Sequence, residues 1–208
     1  MILLLMMDQF IQLPTILLNL KDPISVLTYA IIDNQKTLTP FDEVVDKPVS
    51  YIAYDTMTKK YDLRKASAIE AVKKLAEAKY LDYTQMPTGR DKQVFNKYSF
   101  PLITPVYKNN RVVENKIKIP FKNVDSSVLS LDLSSKEKGY LLMLHLLSID
   151  TSEIIMSEEE IAQALGITKR TLAKYIKLFT DKKLLFKGRY HYALKDIYKP
   201  KTTLTIIL

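Results

Sequence analysis

Two helix starts and one helix stop fall within residues 157–168. Ser157 and Glu160 have the spacing of a reciprocal capping box, ahead of Ile161, Ala162 and Leu165. Gly166 is the residue a left-handed helix end prefers, and a further helix is predicted from about Thr168 to Lys183. Helices joined by so short a turn must cross closely. Ala162 is small where they cross, and Ile167 plugs the gap beneath the turn. Leu165, Leu172, Ile176 and Phe179 then face a core. Thr168, Lys169, Arg170, Ala173 and Lys174 are left on the outer, N-terminal part of the second helix.

Charge gathers on the same segment. Between Thr168 and His191 stand Lys169, Arg170, Lys174, Lys177, Lys182, Lys183, Lys187 and Arg189, against the one acid Asp181. Glu158, Glu159 and Glu160 precede them, at a helix N-terminus where the dipole favours acids. The whole chain carries 31 Lys and Arg against 23 Asp and Glu, a net charge of +8. Such an excess suits a polyanion, nucleic acid first and an anionic membrane second. With 208 residues, 47% of them apolar, the chain can bury a core as one large domain or two smaller ones.

An earlier stretch repeats the order of events. Asp22-Pro23 is a helix start ahead of Ile24, Leu27 and Ile31, and Thr39-Pro40 gives the same signal before Phe41, Val44 and Val45. Val49 to Tyr61 is expected to form one helix. Arg64 to Lys79 is expected to form an amphipathic one, with Ala68, Ile69, Val72, Leu75 and Ala76 as its apolar stripe. Leu81 to Thr84 and Val94 to Phe100 read as a hairpin, with Pro87 and Gly89 in its tip. In the second stretch, Ser134 and Glu137 form another capping box before Tyr140, Leu141, Leu144 and Leu147. Leu184 to Phe186 and Tyr190 to Ile197 are expected as a second hairpin, turning at Lys187-Gly188. The prolines and Asn109-Asn110 of residues 101–122 mark a connector, in which Val112 to Ile119 alternates well enough for one strand. The expected organisation is therefore a domain at 1–100, this connector, a second domain at 123–199, and an apolar tail at 200–208.

A helix-turn-helix followed by a β-hairpin resembles the winged-helix family, and the resemblance covers residues 134–197. It implies an α+β, mainly α fold with two winged-helix domains in tandem. It also implies that Thr168 to Lys177 enter a major groove, and that the tip at Lys187 to Arg189 touches backbone or minor groove. Arg170 and Lys169 would read guanine edges with Thr168 assisting, while Lys174, Tyr175 and Lys177 meet phosphates. The first copy matches less closely, since Asp62 stands where the family turn favours Gly and Glu70 lies on the corresponding helix. Its outward residues by correspondence are Arg64, Lys65, Ser67 and Lys73, with Arg90 and Lys92 on its wing. DNA binding and pure scaffold both remain open for that copy.

Two winged helices in one basic chain resemble plasmid replication initiators and phage replisome organisers. The partner implied is double-stranded DNA, with replication proteins or a second copy as further partners. Transcriptional repressors and conjugation accessory proteins use the same modules. A protein-interaction scaffold is the other class, for which residues 202–208 would offer an extended apolar strand; pairing within the chain is the favoured role for that strand.

Other chemistries find no residues. The chain has no Cys, which removes disulfides, thiolate zinc sites and cysteine nucleophiles together. No phosphate-binding loop motif occurs, and only four glycines are present. His145 and His191 are too far apart for the paired-histidine metal site of nicking enzymes; His145 reads as a core residue. No enzymatic activity, metal or cofactor is expected. The apolar run Met1 to Met7 is too short to span a bilayer and lacks the features of a secretory signal, so a cytoplasmic protein is expected, starting at Met1, Met6 or Met7.

Overall fold

The computed structural model describes residues 10–37, 49–86, 95–108, 111–117, 119–149, 153–190 and 201–206. The first half opens with strand β1 (Phe10–Pro14), a 3-10 helix (Thr15–Leu20) and helix α1 (Pro23–Asp33). The Asp22 carboxylate caps α1 by accepting the Ile24 N–H at 3.1 Å, with Pro23 in the first helical position. Almost every α1 side chain is buried, as befits a helix that is apolar on all faces. Strands β2 (Lys36–Thr37) and β3 (Val49–Ile52) follow, then helices α2 (Tyr54–Tyr61) and α3 (Lys65–Glu77) and strands β4 (Asp82–Met86) and β5 (Phe95–Ser99). The sheet order is β2-β3-β5-β4, antiparallel throughout.

Strands β6 (Ile103–Lys108) and β7 (Arg111–Ile117) form a hairpin of their own. The second half comprises β8 (Phe121–Asp125), a 3-10 helix (Ser126–Ser130), α4 (Ser135–Leu147), β9 (Glu153–Met156), α5 (Glu158–Leu165), α6 (Lys169–Asp181), β10 (Leu185–Tyr190) and β11 (Lys201–Ile206). Its sheet order is β10-β11-β9. The fold is α+β, with more residues in helix than in strand among those described.

The two halves repeat in register. Strands β3 and β9 start at 49 and 153, α2 and α5 at 54 and 158, and α3 and α6 at 65 and 169, a constant offset of 104. Residues in the left-handed region recur at the same offset. Asp62 (φ 54°) matches Gly166 (φ 69°), and Lys79 (φ 59°) matches Lys183 (φ 58°).

These repeats face each other across one core. Strands β1 and β8 pair antiparallel with Gln12 opposite Asn123 at the centre and Phe10–Asp125 and Pro14–Phe121 at the ends. Helices α1 and α4 pack together, and a Cβ added at Gly139 would lie on the Pro23 carbonyl, so only glycine allows this approach. The start of α4 also reaches the other half's helix–helix turn, where Ser135 Oγ donates to Asp62 O at 2.6 Å. Reciprocally, Lys21 at the start of α1 packs beside Gly166, whose added Cβ would meet Lys21 Cβ at 2.9 Å. The halves are thus related by an approximate twofold through the Gln12–Asn123 pair. The second half already begins with β8 inside the expected connector 101–122, and Leu27, Ile31, Leu141 and Leu144 from the two halves share one buried cluster.

Several expectations are corrected. Val49 to Tyr61 is not one helix, because Val49–Ile52 pairs with β5 and only Tyr54–Tyr61 is helical. Val49 and Ile52 are β-branched and buried, which suits a strand. The connector carries two strands, with Pro105 opposite Asn115. Strand β10 runs straight through Lys187-Gly188 instead of turning there, and its partner is β11. The segment Lys201–Ile206 pairs within the chain, as favoured for it, and forms the central strand of its sheet. The helix expected at Phe41 to Val45, the wing residues Arg90 and Lys92, and His191 lie outside the described residues. Among the described residues, no helix is long and apolar enough to cross a membrane, and no group of three acidic or histidine side chains could hold a metal.

Candidate nucleic-acid interface

Helix α6 is built to expose one basic face. Ser157 Oγ accepts the Glu160 N–H at 3.2 Å while Glu160 Oε2 accepts the Ser157 N–H at 2.7 Å, closing the predicted capping box at the start of α5. Gly166 ends α5 in the left-handed conformation, and the chain re-enters a helix two residues later. Thr168 caps α6, its Oγ1 accepting the Thr171 N–H at 3.2 Å. Leu172, Ile176 and Phe179 are buried, as their spacing predicts, and Ile167 is half-buried under the turn. Lys169, Arg170, Ala173, Lys174 and Lys177 are exposed on the opposite face. The helix closes with Lys183 left-handed and the Leu184 N–H donating to Phe179 O at 2.8 Å.

Helix α3 has the same construction from a different sequence. Ala68, Val72 and Leu75 are buried, and the Tyr80 N–H donates to Leu75 O at 2.9 Å after left-handed Lys79. Its exposed residues are Lys65, Ala66, Glu70, Lys73, Lys74 and Glu77, with Arg64 exposed at the N-cap. The offset of 104 matches Lys65 with Lys169 and Lys73 with Lys177, but Ala66 with Arg170 and Glu70 with Lys174. Ser67 corresponds to Thr171 and is half-buried. Asp62 takes the conformation of Gly166 despite its side chain, so its departure from glycine leaves the turn intact.

Ion pairs set which charges are free. Lys65 Nζ lies 2.9 Å from Asp55 Oδ1, and Lys169 pairs in the same way with Glu159. Lys65 holds the Asp55 carboxyl below its ordinary range, and Lys169 does the same to Glu159. Lys187 bonds to Glu158, and Lys182 lies 3.3 Å from Asp132 Oδ2. Lys74 bridges Asp22 at 3.0 Å and Glu70 at 3.1 Å, so Glu70 is partly neutralised within the helix. Arg170, Lys174 and Lys177 make no ion pair among the described residues.

Two expected contacts are displaced. The Tyr175 ring, expected at a phosphate, packs 4.4 Å from the Tyr140 ring and 6.0 Å from Phe179, and burial pushes its hydroxyl pKa up. Its spacing from Leu172 and Phe179 already places it on the core side, a signal outweighed by its lysine neighbours. Lys187 is mid-strand opposite Leu204 and not at a hairpin tip, and Arg189 lies opposite Thr202 in the same strand, its side chain outside the described part. Thr168, Lys169, Arg170, Lys174 and Lys177 do come together on one exposed end and face of α6, as do Arg64, Lys65 and Lys73 on α3. The residues not foreseen are Asp55 and Glu159. Their signal is an acid ten positions before a lysine in both repeats.

His145 lies on the core side of α4, half-buried, with Nε2 3.4 Å from Asn123 O and its buried Nδ1 without a partner among the described residues. Burial lowers its pKa from the ordinary value. Comparison with known proteins finds no matching family model and no curated relative.

Proposed function

We propose that this chain is a sequence-specific binder of double-stranded DNA whose two repeats are winged helices, with α6 and α3 each presented to a major groove. The observation that carries this reading is the repeat of helix, left-handed turn and helix in register, each followed by a strand pair, with outward lysines on the second helix both times and a wholly basic N-terminal face on α6. A helix of this kind places its N-terminal side chains against base edges. Phosphate contacts from the lysines supply most of the affinity and a steep salt dependence. The chain acts by binding and not by catalysis.

The approximate twofold adds an orientation. Units related by a twofold axis meet DNA half-sites in inverted order, so one chain fits an imperfect palindrome about one helical turn between centres. The imperfection follows from Arg170 and Lys174 standing where the other repeat has Ala66 and Glu70. The resemblance to plasmid and phage initiators favours replication of a mobile element as the process. With β11 sealed between β9 and β10, the strand that would have favoured a scaffold role is occupied.

A gel shift on random duplex at low salt, followed by a footprint on DNA flanking the chain's own gene, tests both parts. Salt-sensitive binding and repeated protected sites beside an AT-rich segment are expected. No binding at low salt overturns the function. A single palindrome over a promoter overturns the process and makes the chain a repressor.

A further inference from the structure

Each reading helix begins with a lysine that is already engaged. Lys65 and Lys169 are the first residues of α3 and α6, and their partners Asp55 and Glu159 lie in the first turns of α2 and α5. All four side chains are more than half exposed, so neither pair is needed to neutralise a buried charge. Exposed pairs contribute little to folding. Yet the pair recurs at the same place in two repeats, where the acid is Asp in one and Glu in the other. The surrounding residues have diverged almost completely: Tyr54 matches Glu158, Ala66 matches Arg170 and Glu70 matches Lys174.

We propose that Asp55 and Glu159 are specificity-determining residues: each withholds the first lysine of its reading helix from phosphate, suppressing sequence-independent binding. This deepens, and rests on, the DNA-binding reading above. An ammonium held by a carboxylate releases no counterion when a duplex approaches, so it adds nothing to non-specific affinity. The carboxylate itself repels a backbone presented in the wrong register, which is discrimination by an unfavourable contact with the wrong partner. On the right site, contacts from Arg170 and its neighbours hold the helix in the groove, and the lysine exchanges its carboxylate for the DNA. Glu158 extends the arrangement in the second repeat, since it holds Lys187 of β10 beside Glu159.

The test uses the full chain with Asp55→Asn, Glu159→Gln and the double variant, titrated with a random duplex and the footprinted site over a range of salt. Each single variant should bind random duplex more tightly, by about eightfold near 0.1 M salt, with a log–log salt slope steeper by about 0.9. The footprinted site should gain less, so the specificity ratio falls. In a Lys169→Gln background, Glu159→Gln should raise random-duplex affinity far less than it does in the wild type, the part left being the carboxylate's own repulsion; an equal gain with and without Lys169 would overturn withholding through the lysine. Unchanged random-duplex affinity and slope in both single variants, with wild type binding, would sink this inference alone. A wild type that binds no duplex at low salt removes the DNA-binding reading, and this inference with it.

Discussion

Gln12 and Asn123 face each other at the centre of the β1–β8 ladder, and each holds the other's place in its own half of the chain. An antiparallel pair centred on equivalent residues is what a twofold axis produces. The reciprocal contacts of Ser135 with Asp62 and of Lys21 with Gly166 follow the same axis. One chain therefore builds an interface that two identical subunits would otherwise build, and the covalent link frees the two halves to diverge. Divergence reaches both faces of α3 and α6: buried Ala68, Val72 and Leu75 stand where the second repeat has Leu172, Ile176 and Phe179, and outward Ala66 and Glu70 stand where it has Arg170 and Lys174.

The axis depends on Gly139. Gly139→Ala is expected to push α4 off the Pro23 carbonyl and to destabilise the fold by about 3 kcal/mol, the upper range for overpacking against atoms that cannot rotate away. Chemical denaturation measures it. A loss under about 0.5 kcal/mol would mean that α1 and α4 separate freely.

Strand β11 is expected to be indispensable. Deleting residues 201–208 removes the only strand that hydrogen-bonds both β9 and β10 among those described. The shortened chain should lose amide-exchange protection at Ile154 and Leu185, both buried in the same cluster. Retained protection there would show that the fold does not depend on this strand.

Local signals were legible in the sequence, and pairings between distant segments were not. Both capping boxes, the left-handed Gly166 and the buried stripe of α6 follow from neighbours within one or two helical turns. Val49 to Ile52 carries no such local signal: four residues before a helical pattern read equally well as its first turn. Only Asn96 to Ser99, far along the chain, makes them a strand. The same holds for Lys201–Ile206, whose partners Glu153–Met156 lie nearly fifty residues earlier. Tyr175 shows the opposite error, since flanking lysines pointed to the surface while its spacing from Phe179 pointed to the core.

Acidification is expected to weaken the fold through His145. Its folded pKa lies below the unfolded 6.5, chiefly because burial disfavours the imidazolium. Above 6.5 both states are neutral and the group contributes nothing to the pH dependence. As the pH falls below 6.5 the unfolded chain takes up the proton first, so stability declines until the folded pKa is passed. His145→Gln should flatten that part of the curve, read as the thermal midpoint between about pH 7 and pH 5. An unchanged slope would assign the acid sensitivity to other groups.

The two reading helices are expected to contribute unequally, and the reason lies in two positions. Arg170 can pair with both acceptors of a guanine edge, whereas Ala66 at the matching place can pair with none. On the proposed function, Lys174 would add a phosphate contact where Glu70 would subtract one, though Lys74 offsets part of the Glu70 charge at 3.1 Å. Arg170→Ala alone should cost about 1–3 kcal/mol on the preferred site and little on random duplex. The Lys169→Ala, Arg170→Ala double variant should abolish specific binding, while Arg64→Ala with Lys65→Ala only weakens it. The converse variant is the sharper test: Ala66→Arg with Glu70→Lys gives α3 the outward groups of α6 and should raise affinity for a symmetric palindrome built from the half-site that α6 protects. All three doubles are read by titration on the same duplexes at one salt concentration. If the Arg64/Lys65 variant proves the more damaging, α3 and not α6 is the dominant reader.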